Sequence, residues 1–356
     1  MIELNKFFKK EISDMGKALS LAIVGATGVV GQQLLKSIDE RKIEFSSLKL
    51  LASARSAGKI INFQGKDYTV EETTEDSFKG VDVALFAGGP ASVAFGRKAA
   101  ENGTVVIDNS STFRYDDDVP LVVPEVNAKD LEWHNNLIAN PNCSTILLVT
   151  ALYPIHKFTK VKRVVVSSYQ ACSGAGKEGM EELLNQTADV LAGKSAEPSA
   201  FKYQIAFNVI PQIDKWMDFD YTKEEMKFVW ETHKIMDPEV GVTPVAAVRV
   251  PVVRSHCEAV YFETEEKLTV EKARELFKAC PWIVLQDDPE NFVYPMPVTS
   301  TDTDFTYVGR IRPDLVNDHG MNMWISFDQI RKGAATNAVQ ILEELVKRDL
   351  VFKNRK

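Results

Sequence analysis

Residues 19–38 read LSLAIVGATGVVGQQLLKSI, and this stretch decides the fold of the first half of the chain. Leu19 to Val24 is a short apolar run, and Leu34, Leu35 and Ile38 recur at helical spacing beyond a glycine-rich turn. The pattern is that of strand, turn and helix. The glycines follow G-x-x-G-x-x-G rather than G-x-G-x-x-G, so the dinucleotide fingerprint is met loosely. Glycine still permits the tight turn and lets backbone N–H groups at the helix start approach a pyrophosphate. Gly25, Thr27, Gly28, Val29, Val30 and Gly31 are the candidate contacts.

Working outward, the run Leu48 to Ala52 is the expected second strand. A site for NAD places an acidic residue near the end of that strand to bond the ribose 2′-hydroxyl. Here the chain continues Ser53, Ala54, Arg55, Ser56, Ala57, Gly58, Lys59. A guanidinium between two hydroxyls suits a 2′-phosphate, so Ser53, Arg55 and Ser56 point to NADP. Further strands are expected at Val81 to Phe86 and Val105 to Ile107, with a helix over Ala91 to Glu101. The alternation predicts a doubly wound parallel sheet whose ligands lie at the strand carboxyl ends, where Gly88 sits.

At 356 residues the chain is long enough for about two domains. Apolar content of 45% and charged content of 26% belong to an ordinary globular protein. A net charge of −8 argues against nucleic acid as a partner, and no run is long enough to span a membrane. Four cysteines, at 143, 172, 257 and 280, show neither metal-ligand nor disulfide spacing and suggest a reducing, cytoplasmic setting. Residues 1–19 mix charges and lack the apolar core of a secretory signal, so they read as an extension. Longer strands at Arg163 to Tyr169, Val245 to Val250 and Cys257 to Phe262 predict an α+β second domain with a mixed or antiparallel sheet. The expected divisions are a 1–19 extension, a 20–142 NADP-binding domain and a second, catalytic domain over 143–330.

Cys143 stands just after Asn142 and just before the apolar run Ile146 to Val149. That places a thiol in the first turn of a helix, where the unpaired N–H groups and the macrodipole favour the nucleophilic thiolate. A small buried hydrophobe is the alternative. His256 is the best general acid or base by its ordinary pKa. Arg249 lies seven residues before it, so an unbroken strand would send the two to opposite faces. Pro251 suggests an interruption, and a shared site requires a bend between Pro251 and Arg254. Thr222 and Glu225 have capping-box spacing, and Glu224 and Lys227 lie on one helical face, where a surface ion pair is the plain expectation. With Arg114 and Arg249 these residues would match a substrate carrying phosphate, carboxylate and ammonium groups.

From about residue 20 to the C-terminal helix the chain resembles the aspartate-β-semialdehyde dehydrogenase family. The resemblance rests on the Gly25 to Gly31 turn, Asn142-Cys143-Ser144, Gln170 with Ser173-Gly174-Ala175-Gly176, the Glu224 to Lys227 helix, Arg249 through His256, and Lys332 to Gln340. It implies NADPH-dependent reduction of aspartyl phosphate through a thioester on Cys143. In that scheme His256 moves the proton, and Gln170 and the Asn142 amide orient the acyl group and stabilise its oxyanion. Arg249 holds the substrate carboxylate, Glu224 its ammonium, and Arg114 and Lys227 the phosphate. Ser173, Gly174 and Asn337 contact the nicotinamide half of the cofactor. It further implies inorganic phosphate as co-substrate, a homodimer, 143–330 as a catalytic and dimerisation domain, and 331–356 as a C-terminal helix packing back on the NADP-binding domain. N-acetyl-γ-glutamyl-phosphate reductase shares the plan, but its acylated amine would leave Glu224 without a purpose. A non-catalytic NADP-binding sensor has no need of Cys143, Gln170 and His256 together.

Overall fold

A computed structural model describes residues 18–354, so all but the last two residues of the expected extension lie outside the described residues. The chain forms two compact units. One comprises the N-terminal part to Asn140 together with the segment from Ala335, and the other is Pro141–Ala334.

The first unit is built on β1 (Leu19–Val24), which leads through the glycine turn into α1 (Val29–Glu40). Gly25 has φ +83°. A Cβ on Gly31 would lie 2.2 Å from the Gly25 carbonyl oxygen and 2.7 Å from the Ala26 Cα, so only glycine lets α1 pack this closely on the turn. The sheet adds β2 (Phe45–Ala52), with a side hairpin of β3 (Ile60–Phe63) and β4 (Lys66–Thr69). It continues with β5 (Glu71–Glu72), β6 (Val83–Phe86), β7 (Val105–Asp108) and β8 (Leu137–Ala139). The spatial order is β5-β2-β1-β6-β7-β8, every pair parallel. This is the expected doubly wound sheet, and its order reverses between β1 and β6. At that switch point a Cβ on Gly25 would touch Ala87 and Gly88, so the two strand ends meet where such folds bind ligands. The helix expected over Ala91 to Glu101 is present but widens into a π-turn at Ser92–Gly96.

The second unit starts with α2 (Cys143–Phe158), whose Ile146, Leu147, Leu148, Val149, Ala151, Leu152 and Ile155 are all fully buried. It then runs through β9 (Val161–Gln170), α3 (Gly176–Leu191), α4 (Lys223–Ile235), β10 (Gly241–Arg249), β11 (His256–Thr264), α5 (Val270–Lys278), β12 (Ile283–Leu285), β13 (Thr306–Pro313) and β14 (Gly320–Phe327). These strands form one mixed sheet in the order β10-β9-β11-β14-β13-β12. β10 runs parallel and β11 antiparallel to β9. Helix α2 is apolar all round because it lies between this sheet and α4 and α5. The last helix, α6 (Thr336–Lys347), belongs to the first unit. Its Ala338, Val339, Ile341, Leu342 and Leu345 join Leu34 and Ile38 of α1 and the strands β1, β6 and β7 in one core. Among the described residues no helix is long and apolar enough to cross a membrane.

Candidate active site

Cys143 is the first residue of α2 and is partly exposed. Asn142 caps the helix: its Oδ1 accepts from the backbone N–H of Ser144 (3.0 Å) and Thr145 (3.3 Å). The same side chain donates from Nδ2 to Glu224 Oε1 (3.1 Å), and the Asn142 backbone N–H donates to buried Glu231 (2.6 Å). Two α4 carboxylates thus fix the residue before the thiol. On the other side a Cβ on Gly333 would lie 2.9 Å from the Cys143 Cβ and 3.0 Å from the Phe327 ring, so backbone packs directly against the thiol.

Strand pairing brings Gln170, Arg249 and His256 together. Gln170 ends β9, parallel β10 sets Arg249 opposite it, and antiparallel β11 pairs Cys257 with Tyr169 so that His256 comes level on the far side. The intervening segment crosses the end of β9, which is the required bend, with Ser255 at φ 76°. Cys172 and Ser173 donate their N–H groups to the carbonyls of Val252 (2.8 Å) and Val253 (3.1 Å) and hold the crossing down. Gln329 accepts from the Ser255 N–H (2.8 Å) and donates to the Ser173 hydroxyl. A Cβ on Gly174 would reach within 2.8 Å of Arg249 NH1 and 3.3 Å of His256 Nε2. Ser173 and Gly174 therefore sit in the cluster of Arg249 and His256.

The charges of this cluster are buried. Lys227 Nζ donates to Glu224 Oε2 (2.6 Å) and Asp214 Oδ2 (3.1 Å), and both Glu224 and Lys227 are under 10% exposed. The surface ion pair expected from their spacing is corrected: the capping box of Thr222 and Glu225 forms as read, but this face of α4 is turned inward. A phosphate held by Lys227, as the resemblance implies, would share the ammonium with two carboxylates already in contact. Burial alone would raise the Glu224 pKa, but the Lys227 charge and the donors Lys227, Gln170 and Asn142 bring it down to about 2. Arg249 donates from NH1 to the Ala171 carbonyl (2.7 Å), and its pKa is lowered by burial against the opposing pull of Glu224, Cys172 and Cys143.

His256 is wholly buried. Its Nδ1 accepts from the Ala171 N–H (3.1 Å), so the ring proton resides on Nε2, which has no protein partner. Burial, then the nearby Arg249 charge, pushes the imidazole pKa down to about 3, with Glu224 opposing. In this arrangement His256 is a neutral N–H donor. Gln170 donates from Nε2 to Ser168 Oγ (3.2 Å) and Glu224 Oε1 (3.1 Å), which occupies both amide hydrogens. For the oxyanion role expected of it, Gln170 would have to exchange one of these partners, whereas His256 Nε2 is a donor with none. Two acids escaped the sequence reading. Glu231 anchors Asn142, and Glu258 lies two residues beyond His256, opposite Ser168 on β9. Neither Glu258 oxygen has a partner, and burial together with the Glu224 charge holds its pKa well above the carboxylate range. Period-two alternation from His256 was the available signal for Glu258.

In the first unit Thr27 Oγ1 donates to buried Ser56 Oγ (3.4 Å), joining the glycine turn to the short helix Ala54–Ser56. Ser53 and Arg55 are exposed there. β5 sets Glu71 and Glu72 beside Leu51 and Ala52, carboxylates near the end of β2 that the linear spacing did not reveal. Open space above Gly88 and the cradle at Gly25 and Gly31 fit a dinucleotide phosphate. Arg114, on the loop after β7, is buried and donates to the carbonyls of Asn140 (2.9 Å) and Asn109 (3.0 Å). Asn337 is fully buried and donates to the Val122 carbonyl (3.0 Å) and Asn140 Oδ1 (2.6 Å).

A family model described as semialdehyde dehydrogenase, NAD binding domain, matches residues 20–134, and one described as semialdehyde dehydrogenase, dimerisation domain, matches 152–332. An aspartate-semialdehyde dehydrogenase of Bacillus subtilis is 49% identical over 347 residues, 95% of this chain and 100% of the relative. The chain belongs to the aspartate-semialdehyde dehydrogenase family. Another member, from Aquifex aeolicus, is 50% identical over 93% of this chain and 99% of its own length. The crystal structure of aspartate semialdehyde dehydrogenase II of Vibrio cholerae complexed with ASA superposes with a TM-score of 0.90 at 46% identity, covering 93% of this chain and 99% of that one. As a member of the aspartate-semialdehyde dehydrogenase family the chain is an oxidoreductase with a nucleotide-binding Rossmann domain and a dimerisation domain.

Proposed function

We propose that the chain reduces L-4-aspartyl phosphate to L-aspartate 4-semialdehyde with NADPH, through a thioester on Cys143, in the biosynthesis of lysine, methionine and threonine. One observation carries this reading. Glu224 is bonded both by Asn142, the cap residue next to Cys143, and by Gln170, and the Gly174 backbone touches both Arg249 and His256, so a thiol at a helix start is linked to an anion, a cation and a neutral imidazole. Such a set matches a substrate whose electrophilic carbon is flanked by carboxylate and ammonium groups.

The Cys143 thiolate attacks the acyl carbon, the bond from that carbon to the phosphoryl oxygen breaks, and phosphate leaves with the electron pair. NADPH, when bound, supplies the hydride that the acyl carbon accepts. His256 Nε2–H donates to the oxygen of each tetrahedral species, and cleavage of the carbon–sulfur bond then frees the aldehyde and restores the thiolate. Arg249 pairs with the substrate carboxylate and Glu224 with its ammonium, while Lys227 keeps Glu224 ionised. Arg114 and Lys227 are the residues proposed for phosphate. The exposed Arg55 beside Ser53 and Ser56 supports NADP over NAD, and Ser173, Gly174 and Asn337 are proposed at the nicotinamide end. The first unit would hold the cofactor, and the second would carry the chemistry and pair two copies as a homodimer, in keeping with its dimerisation-domain match.

The test is oxidation of aspartate semialdehyde by the purified chain with NADP, with and without phosphate, and with NAD in parallel. Phosphate-dependent turnover favouring NADP is expected, with Cys143→Ser lowering kcat by roughly three orders of magnitude while NADP binding is retained. Turnover without phosphate, or a Cys143→Ser variant as active as the parent, overturns the reading.

A further inference from the structure

Arg249 is held by a segment that no step above uses. Between α3 and α4 the chain returns over the end of β10, and Ile210 exchanges two backbone hydrogen bonds with Arg249, of 2.9 and 2.8 Å. Nine residues earlier, the Phe201 ring lies over the Arg249 guanidinium, 5.8 Å from ring centroid to Cζ. The same strap therefore grips this arginine by main chain and by side chain. Phe201 fits because its neighbour on α3 is Gly179, where a Cβ would come within 3.1 Å of the ring.

The strap is itself clamped by one face of α3. Buried Glu182 accepts through Oε2 from the Ser199 hydroxyl (2.9 Å) and from the backbone N–H groups of Ala200 and Phe201 (3.3 Å for the latter). One turn later Gln186 accepts from the N–H groups of Ile205 (2.8 Å) and Ala206 (3.3 Å) and donates to Glu182 (2.8 Å). A carboxylate under four donors is a costly group to bury merely to tidy a loop. Its effect is to fix one ring against one guanidinium.

We propose that Phe201, set by the Glu182 and Gln186 clamp, is a specificity-determining residue that makes Arg249 select substrates bearing a carboxylate. Arg249 Nη1 is engaged by the Ala171 carbonyl, and Cζ stands over the Phe201 ring at 5.8 Å from its centroid. The remaining donors belong to a guanidinium that is buried, where a carboxylate pairs more strongly than in solvent. The inference rests on the proposed reading of Arg249 as the carboxylate partner.

The experiment compares aspartate semialdehyde with 3-aminopropanal, the same aldehyde without its carboxylate, in the full-length enzyme with NADP and phosphate. Phe201→Ala should raise KM for the semialdehyde about five- to tenfold with kcat and KM for phosphate little changed. The ratio of kcat/KM between the two aldehydes should shrink by the same factor. Phe201→Tyr, which keeps the ring, should hold the parent ratio, and Phe201→Leu gives the same readout as Phe201→Ala with less loss of packing. Glu182→Gln should shrink the ratio partly and add nothing in the Phe201→Ala background. A parent enzyme without phosphate-dependent turnover removes the underlying activity and this inference with it. A parent that turns over normally, beside Phe201→Ala and Phe201→Leu variants with unchanged aldehyde ratios, overturns the inference alone.

Discussion

At His256 a single hydrogen bond decides what the ring can do. The Ala171 N–H points at Nδ1, which fixes the proton on Nε2, and burial makes a second proton unfavourable. Such a ring cannot take the thiol proton without giving up its bond to Ala171, but it can donate to an oxygen that gains charge. His256→Asn should therefore lower kcat by about 10²–10³-fold while iodoacetamide alkylates Cys143 at pH 7 at nearly the parent rate. A tenfold slower alkylation would instead make His256 the base that generates the thiolate. The sequence marked this histidine through its residue type and its approach of Arg249 and Arg254, but not its tautomer. The tautomer depends on Ala171, which is 85 positions away and meets the ring only once β9 and β11 pair. Lys227 shows the same limit, since spacing revealed its contact with Glu224 but not that Asp214 also meets it in a buried site.

The element that matters most to the thiol is the first turn of α2. Although Asn142 as its cap went unread, its start was legible, because the apolar run from Ile146 begins just beyond Cys143. What encloses it was not: Glu231 reaches the Asn142 N–H from α4, and Gly333 arrives from the turn before α6. Strand positions could be read from apolar runs to within a few residues, whereas the order that sets β9 between β10 and β11 is non-local and left no trace in spacing. Gly333 offers a test of how closely the thiol is held. Gly333→Ala places a methyl group 2.9 Å from the Cys143 Cβ, so either the thiol or the turn must move. A displacement of a few tenths of an ångström at a nucleophile should cost about 10–100-fold in kcat/KM. NADP affinity and the circular dichroism spectrum should stay as in the parent. Parental kcat/KM in a folded Gly333→Ala variant would show that the turn yields without disturbing the sulfur.

For the whole molecule, the buried acids near the site pull stability in opposite directions with pH. Glu224, held down at about 2, contributes stability that is present above its unfolded pKa near 4.3 and is lost as pH falls through about 2. Glu258 has the reverse sign. Its folded pKa is raised, so its contribution is complete below about 4.3 and is lost progressively as pH climbs toward the folded value. While Glu258 stays protonated in the native state, the unfolded chain gains about 1.4 kcal/mol per pH unit from ionising it. Glutamine keeps the shape and has no proton to lose. Glu258→Gln should match the parent in stability near pH 4 and grow more stable than it as pH rises, at about that slope while Glu258 stays protonated, in urea titrations from pH 4 upward. A stability difference that stays flat over this range would mean Glu258 is ionised in the native protein and paired. An acid held against its own ionisation beside His256 and Glu224 is a stability cost placed where the chemistry is, as expected where a site and a fold make different demands on one residue.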